Sequence, residues 1–90
     1  MTTYFLKLYV SGKTPRSLRL IESLIKMLDE RFSGLYEMAV LDVLEQPQVA
    51  IDQAVLATPL LVKERPPPMR RIVGDVSDWD RVLTGLGMIG

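Results

Sequence analysis

The chain contains no cysteine and no histidine among its 90 residues. Without cysteine it has no disulfide, no thiol nucleophile for redox chemistry and no thiolate ligand for zinc. Without histidine it has no imidazole to act as a general base near neutral pH. The composition therefore argues against an enzyme, and we expect neither a cofactor nor a structural metal ion.

Net charge and long apolar runs are missing as well. Eleven lysines and arginines balance eleven acidic side chains, whereas capture of nucleic acid relies on a basic surface. No apolar run approaches the roughly 20 residues of a membrane helix, and the N-terminus lacks the pattern of a secretory signal. We therefore expect a cytoplasmic protein with neither a nucleic-acid nor a membrane partner.

The first half of the chain is strongly patterned for one domain, residues 1–90, of the α/β class. Tyr4 to Val10 predicts a strand that is central in a sheet and buried largely on both faces. A helix from about Arg16 to Arg31 follows, with Thr14 as its N-cap, Pro15 at its first position and Gly34 as its C-terminal cap. The predicted buried stripe of this helix is Leu18, Ile21, Leu24, Ile25 and Leu28.

A second strand is predicted from Tyr36 to Val43, and it completes a βαβ unit. Such a unit implies a parallel strand pair with a right-handed crossover. Asp42, near the end of this strand, is expected to act in a turn. The following segment from Leu44 to Val55 is ambiguous, although Pro47 is suited to start a helix there.

The most constrained stretch runs from Leu56 to Asp75. Thr58 precedes Pro59 and is pushed toward extended geometry, and X-Pro bonds are the only ones at which a cis peptide is cheap. Leu60 to Val62 predicts a brief strand. Pro66, Pro67 and Pro68 predict a stiff, extended connection, because proline cannot donate a backbone hydrogen bond.

The end of the chain predicts a strand at Ile72 and Val73, stopped by Gly74-Asp75, and then a helix. Ser77 is the predicted N-cap of this helix, which runs from Asp78 to about Leu86. A proline that opens a strand, then a second strand and a helix, is typical of the closing half of a thioredoxin-like domain. Three glycines near the end of that helix predict fraying or more than one conformation: Gly85, Gly87 and Gly90.

Several motifs allow more than one interpretation. Gly12-Lys13-Thr14 resembles the end of a phosphate-binding loop, but the earlier glycine is missing, so we favour a strand-to-helix turn. Trp79 is interpreted as core rather than as a binding anchor. The basic side chains around the prolines form either a solvated connection or a patch for an acidic protein surface: Lys63, Arg65, Arg70 and Arg71.

Three segments together resemble the KaiB family: YFLKLYVSGKTPRS, LDVLEQPQVA and LATPLLVKERPPPMRRIVGD. The resemblance extends from Tyr4 to Leu86. It implies a non-enzymatic regulator that binds a KaiC-type hexameric ATPase, with KaiA or a histidine kinase as further partners. It also implies a dimer or tetramer at rest and a rarer thioredoxin-like monomer that binds the ring, so the C-terminal half would switch fold.

The resemblance also assigns residues. It implies that Tyr4, Lys7, Arg19, Lys63, Arg70 and Arg71 contact the partner. It places Gly85 and Gly87 in the switching segment, to which we add Pro59, Pro66, Pro67 and Pro68 because X-Pro isomerisation is slow. Gly87 stands where clock members usually carry Asp, and Ala54 where they often carry Lys, which favours a divergent relative. The alternatives are a stably thioredoxin-like sensor similar to the SasA N-terminal domain and a degenerate redox enzyme.

Overall fold

A computed structural model describes residues 2–74 and 78–89 of the chain. Four strands form one sheet in the order β2-β1-β3-β4. β1 pairs with β2 in parallel and with β3 in antiparallel fashion, and β4 lies antiparallel to β3. The elements are β1 (Tyr4–Val10), α1 (Pro15–Phe32), β2 (Tyr36–Asp42), α2 (Pro47–Asp52), β3 (Leu60–Arg65), β4 (Arg70–Val73) and α3 (Trp79–Gly85).

The start and end of α1 confirm the predicted capping signals. Thr14 is the N-cap, and its hydroxyl accepts a hydrogen bond from the Ser17 amide at 3.1 Å. Pro15 takes the first helical position, where its missing N–H is not needed. Just beyond the helix, Gly34 has φ +73°, a left-handed conformation that glycine adopts without steric cost.

The main core lies between the sheet and the two longer helices. β1 contributes Leu6, Leu8 and Val10 to it, and α3 contributes Val82 and Leu83. A minor core lies on the opposite face beneath α2, where buried Tyr9, Leu60 and Val62 pack against partly buried Leu41, Val43, Val49 and Val55. Strand β1 is therefore central and has buried residues on both faces, as predicted, although Phe5 at its start remains 38% exposed.

The predicted buried stripe of α1 is wrong at two positions. Leu18 and Ile25 are 46% and 39% exposed. Leu24 and Leu28 are buried as predicted, and Met27 and Phe32 are buried in addition. Leu18 and Ile25 are seven residues apart and lie together at one edge of the apolar stripe, so the face that packs on the core is centred nearer Leu24 and Leu28.

The triple proline does not form the predicted extended connection. β3 continues to Arg65, three residues beyond the predicted end, and Arg70 in β4 pairs with Lys63. Residues 66–69 must therefore reverse the chain between two antiparallel strands. The peptide bonds before Pro59, Pro66 and Pro68 are cis.

Helix α3 has a well-defined end rather than a frayed one. The Gly87 amide donates to the Thr84 carbonyl at 3.0 Å, and the Met88 amide donates to the Leu83 carbonyl at 2.9 Å. With Gly87 at φ +73°, this is a Schellman motif, which satisfies carbonyls that the helix end leaves free. At the other end the N-cap is Asp78, which accepts from the Arg81 amide at 3.2 Å. The predicted cap, Ser77, lies outside the described residues, as do Asp75 and Gly90.

Candidate protein-binding site

The predicted partner-binding side chains do not form one surface. They lie on the two faces of the sheet and on α1. Two face the side of the sheet that α2 partly covers, and three face the side that packs on α1 and α3. The six residues are Tyr4, Lys7, Arg19, Lys63, Arg70 and Arg71.

Lys7 and Arg71 lie on the α2 side of the sheet, on either side of Val62. The Lys7 ammonium is 3.3 Å from the Glu64 carboxylate, and both side chains are about one-third exposed. The Arg71 guanidinium donates to the carbonyls of Gln53 and Ala54, at 3.0 and 3.2 Å. Arg71 therefore holds the end of α2 against β4, a structural role that the sequence did not suggest.

Lys63 and Arg70 are paired across β3 and β4 and point to the opposite side of the sheet. Arg70 is exposed, but Lys63 is only 2% exposed. Its ammonium nitrogen would lie 3.5 Å from a Cβ placed on Gly87. Because Lys63 is buried and Arg70 and Arg71 point in opposite directions, the basic residues around the prolines do not form one continuous patch.

Tyr4 belongs to the core more than to the surface. Its ring meets that of Phe32 edge to face, with ring centroids 5.4 Å apart. Such a pair contributes about 0.5–1.5 kcal/mol beyond the area it buries. Tyr4 therefore fixes the start of β1 against the end of α1.

Arg19 lines an open cleft of about 730 Å³, which we call the α1 cleft. One wall is the first two turns of α1, with Arg16, Arg19 and Leu20. The other wall consists of Pro59, Gly74 and Trp79. At the end of β1, the Ser11 and Thr58 hydroxyls are hydrogen-bonded at 2.7 Å, which links β1 to the loop before β3.

The sequence analysis did not identify Arg16 as a site residue. It assigned Trp79 to the core, whereas Trp79 is half-buried against the main core and also lines the cleft. The order of the predicted elements could nevertheless have placed Arg16 near the cleft. In a βαβ unit, the end of the first strand and the start of the following helix lie at the same edge of the sheet. Basic residues in the first turns of α1 must therefore lie near the Thr58-Pro59 loop, provided that its strand pairs with β1.

Asp42 confirms its predicted turn role. Its carboxylate accepts hydrogen bonds from the Gly12 and Leu44 amides, each at 2.9 Å, and so joins the turn after β1 to the turn after β2. These bonds, the one from Gly12 foremost, lower the pKa of the Asp42 carboxyl below its ordinary value. The Gly12-Lys13-Thr14 segment is thus the strand-to-helix turn that we favoured.

The lowered pKa of Asp42 predicts a specific acid sensitivity. A carboxyl group whose pKa is lower in the folded state adds stability above its unfolded pKa, and this is lost as pH falls through the folded pKa. We expect Asp42→Asn to be less stable than the wild type at pH 7 and to lose less stability toward pH 3. Urea unfolding at both pH values measures this, with exposed Asp52→Asn as the control. An unchanged pH dependence in the Asp42 variant would contradict the assignment.

The residues predicted to govern fold switching occupy turns and helix ends. Pro59 opens β3, and Pro66, Pro67 and Pro68 lie in the β3–β4 reversal. A Cβ on Gly85 would lie 2.8 Å from the Cδ1 atom of Ile72, the flexible end of that side chain. Because the structure describes one conformation, their switching role stays a prediction.

Within residues 2–74 and 78–89, no helix has the length and apolar character needed to cross a membrane. A family model described as the KaiB domain matches residues 7–88. The chain is 52% identical over 87 residues to the circadian clock oscillator protein KaiB of Prochlorococcus marinus strain MIT 9312, covering 97% of this chain and 83% of that protein. It is 53% identical to the KaiB protein of Synechococcus sp. strain RCC307, covering 97% and 79%.

Comparison with solved structures identifies the fold class. The N-terminal domain of Synechococcus elongatus SasA superposes with a TM-score of 0.77 at 22% identity, covering 99% of this chain and 88% of that one. Mitochondrial thioredoxin 3 of Saccharomyces cerevisiae superposes with a TM-score of 0.72 at 16% identity, covering 99% and 81%. The chain therefore has a thioredoxin-like fold, as its pattern of strands and helices predicted.

Proposed function

The chain belongs to the KaiB family, and from this premise we propose that it is a non-enzymatic regulator that binds a KaiC-type hexameric ATPase. The observation that carries the proposal is the 52% identity to clock oscillator proteins across 97% of the chain. Circadian or stress-related timing in the cytoplasm is the process it would modulate, with KaiA or a histidine kinase as further partners.

The thioredoxin-like conformer is the form we propose to bind the ring. The exposed Arg19 and Arg70 side chains are available for contact with acidic groups, and arginine forks favour paired bonds to carboxylates. Lys7, which pairs with Glu64, and Arg71, which bonds to the Gln53 and Ala54 carbonyls, would contact the ring from the α2 side of the sheet. Tyr4 and Lys63 would act by holding this conformer together, because both lie mainly within the fold. If the conformer is a minor form in a resting dimer or tetramer, the ring draws the population toward it.

A stably thioredoxin-like sensor domain is the second candidate. Similarity of the fold to the SasA N-terminal domain over 99% of the chain favours it. In that case there is no resting oligomer to dissolve and no slow conversion before binding. The two candidates therefore differ in oligomeric state and in the rate at which the complex forms.

Size-exclusion chromatography with light scattering tests both candidates. The protein is measured alone, and then after minutes and hours with a KaiC-type hexamer and nucleotide. A resting tetramer or dimer that disappears into a ring complex over hours is the expected result. A monomer that binds within minutes favours the sensor domain, and the absence of any ring complex overturns the proposal.

A further inference from the structure

Among the described residues, those that line the α1 cleft carry positive charge only. Arg16 and Arg19 stand on its α1 wall, and no aspartate or glutamate lines it among the described residues. Both arginines are exposed, and neither lies within 4.0 Å of a described carboxylate. On a chain with a net charge of zero, such a cleft is complementary to an anionic group.

The spacing of the two arginines favours an extended peptide. Residues three apart on a helix are neighbours on one face, with Cβ atoms about 5–6 Å apart. Alternate side chains of an extended strand point the same way and are about 6.6 Å apart along the chain. Two carboxylates at positions i and i+2 of such a strand therefore match Arg16 and Arg19, and each guanidinium can bind one of them through two N–H groups.

The opposite wall suits an apolar side chain. Pro59 and Trp79 stand there, and the Gly74 amide donates to the Pro59 carbonyl at 3.0 Å, which fixes the two segments relative to each other. The Ser11 and Thr58 hydroxyls, which also line the cleft, are hydrogen-bonded to each other. In an extended chain, residue i+1 points away from i and i+2, so its side chain would face Pro59 and Trp79 when the two carboxylates face α1.

We propose that the α1 cleft binds an extended segment of the ATPase ring with the pattern acidic, apolar, acidic, in which the two carboxylates pair with Arg16 and Arg19. This inference rests on the proposed function, because it takes the ring as the source of the segment. It adds Arg16 and Trp79 to the residues that contact the partner, and it specifies the chemistry that the cleft selects.

The cleft chemistry can be tested with short peptides. The probe is acetyl-Gly-Glu-Phe-Glu-Gly-amide, and its control has Gln in place of both Glu residues. Trp79 is the sole tryptophan, so its fluorescence reports on the cleft directly. We expect a saturable change with the Glu peptide that weakens as salt is added, and at least a tenfold weaker response with the Gln peptide. Equal responses to both peptides would overturn the proposal.

The double variant R16Q/R19Q tests whether the ring binds at the cleft. The matched control is Arg81→Gln, which changes an exposed arginine on α3. Far-UV circular dichroism checks that both variants fold. We expect R16Q/R19Q to bind the Glu peptide and a KaiC-type hexamer at least tenfold more weakly, and Arg81→Gln to bind as the wild type does.

Binding of the hexamer distinguishes the cleft proposal from the proposed function. If the hexamer binds R16Q/R19Q as tightly as the wild type, the cleft proposal is overturned and the proposed function stands. If the hexamer binds no version of the protein, the proposed function is overturned, and with it the ring as the source of the segment.

Discussion

Leu86→Ala is expected to lower the free energy of unfolding by about 2–5 kcal/mol, the range for removing a large aliphatic side chain from a packed core. Leu86 is 0% exposed and belongs to the main core, next to the Schellman motif that ends α3. The whole stability of a 90-residue domain is only about 5–14 kcal/mol. One truncation would therefore remove a large share of it.

Leu56→Ala is the matched control, because it makes the same chemical change at a side chain that is 95% exposed. We expect its effect to stay within about 0.5 kcal/mol. Urea denaturation followed by circular dichroism measures both variants. Equal losses in the two variants would mean that the end of the chain does not pack on the sheet in solution as it does here, and that another conformer dominates.

Substitutions at Gly87 are expected to follow the order Gly, Asp, Asn, Ala from most to least stable. Gly87 has φ +73°, and a left-handed conformation costs an ordinary residue about 1–2 kcal/mol. Asp and Asn tolerate this conformation better than Ala does, because their short polar side chains bond locally. A carboxylate at this position would also approach the Lys63 ammonium, which lies 3.5 Å from the Cβ position.

The difference between the Asp and Asn variants isolates the charge at position 87, since the two side chains have nearly the same shape. We expect Asp to be more stable than Asn by up to about 1 kcal/mol, the upper end of the range measured for ion pairs at exposed positions. In a Lys63→Met background the difference should vanish. Its persistence there would show that some other group stabilises the carboxylate, and the cycle of four variants measures this directly.

The first half of the chain could be predicted because its signals are local. Thr14, Pro15 and Gly34 act on residues within one helical turn, so their roles follow from the sequence alone. The buried face of α1 was harder to predict. Leu18 fits the helical period, yet it is exposed, because the period does not determine which edge of a broad apolar stripe packs against strands that lie far away in the sequence.

The second half could be predicted only in outline. The proline run predicts that no helix forms, but not whether the chain continues or turns back. That depends on β3 pairing with β1 on one side and β4 on the other. The same pairing buries Lys63, whose sequence neighbours gave no such indication. The terminal glycines predicted a frayed helix end, but one of them, Gly87, caps the helix.

The candidate site shows the same division. The resemblance to the KaiB family identified individual partner-binding candidates such as Arg19, but it did not predict how these residues are arranged in space. Whether Arg70 and Arg71 share a surface follows from strand geometry, and adjacent residues in a strand face opposite sides. The cleft requires α1, the Thr58-Pro59 loop and Trp79 to meet at one edge of the sheet, which is a property of the topology and not of any one motif.

The central position of β1 has a consequence for protein synthesis. Its first partner, β2, ends at Asp42, and its second partner, β3, ends at Arg65, 23 residues later. A ribosome adds about 5–20 residues per second, so after β2 is complete the second edge of β1 stays without its partner for about one to five seconds more. During that time a strand rich in Leu, Tyr and Val presents an open hydrogen-bonding edge, to which other nascent chains or a chaperone can bind.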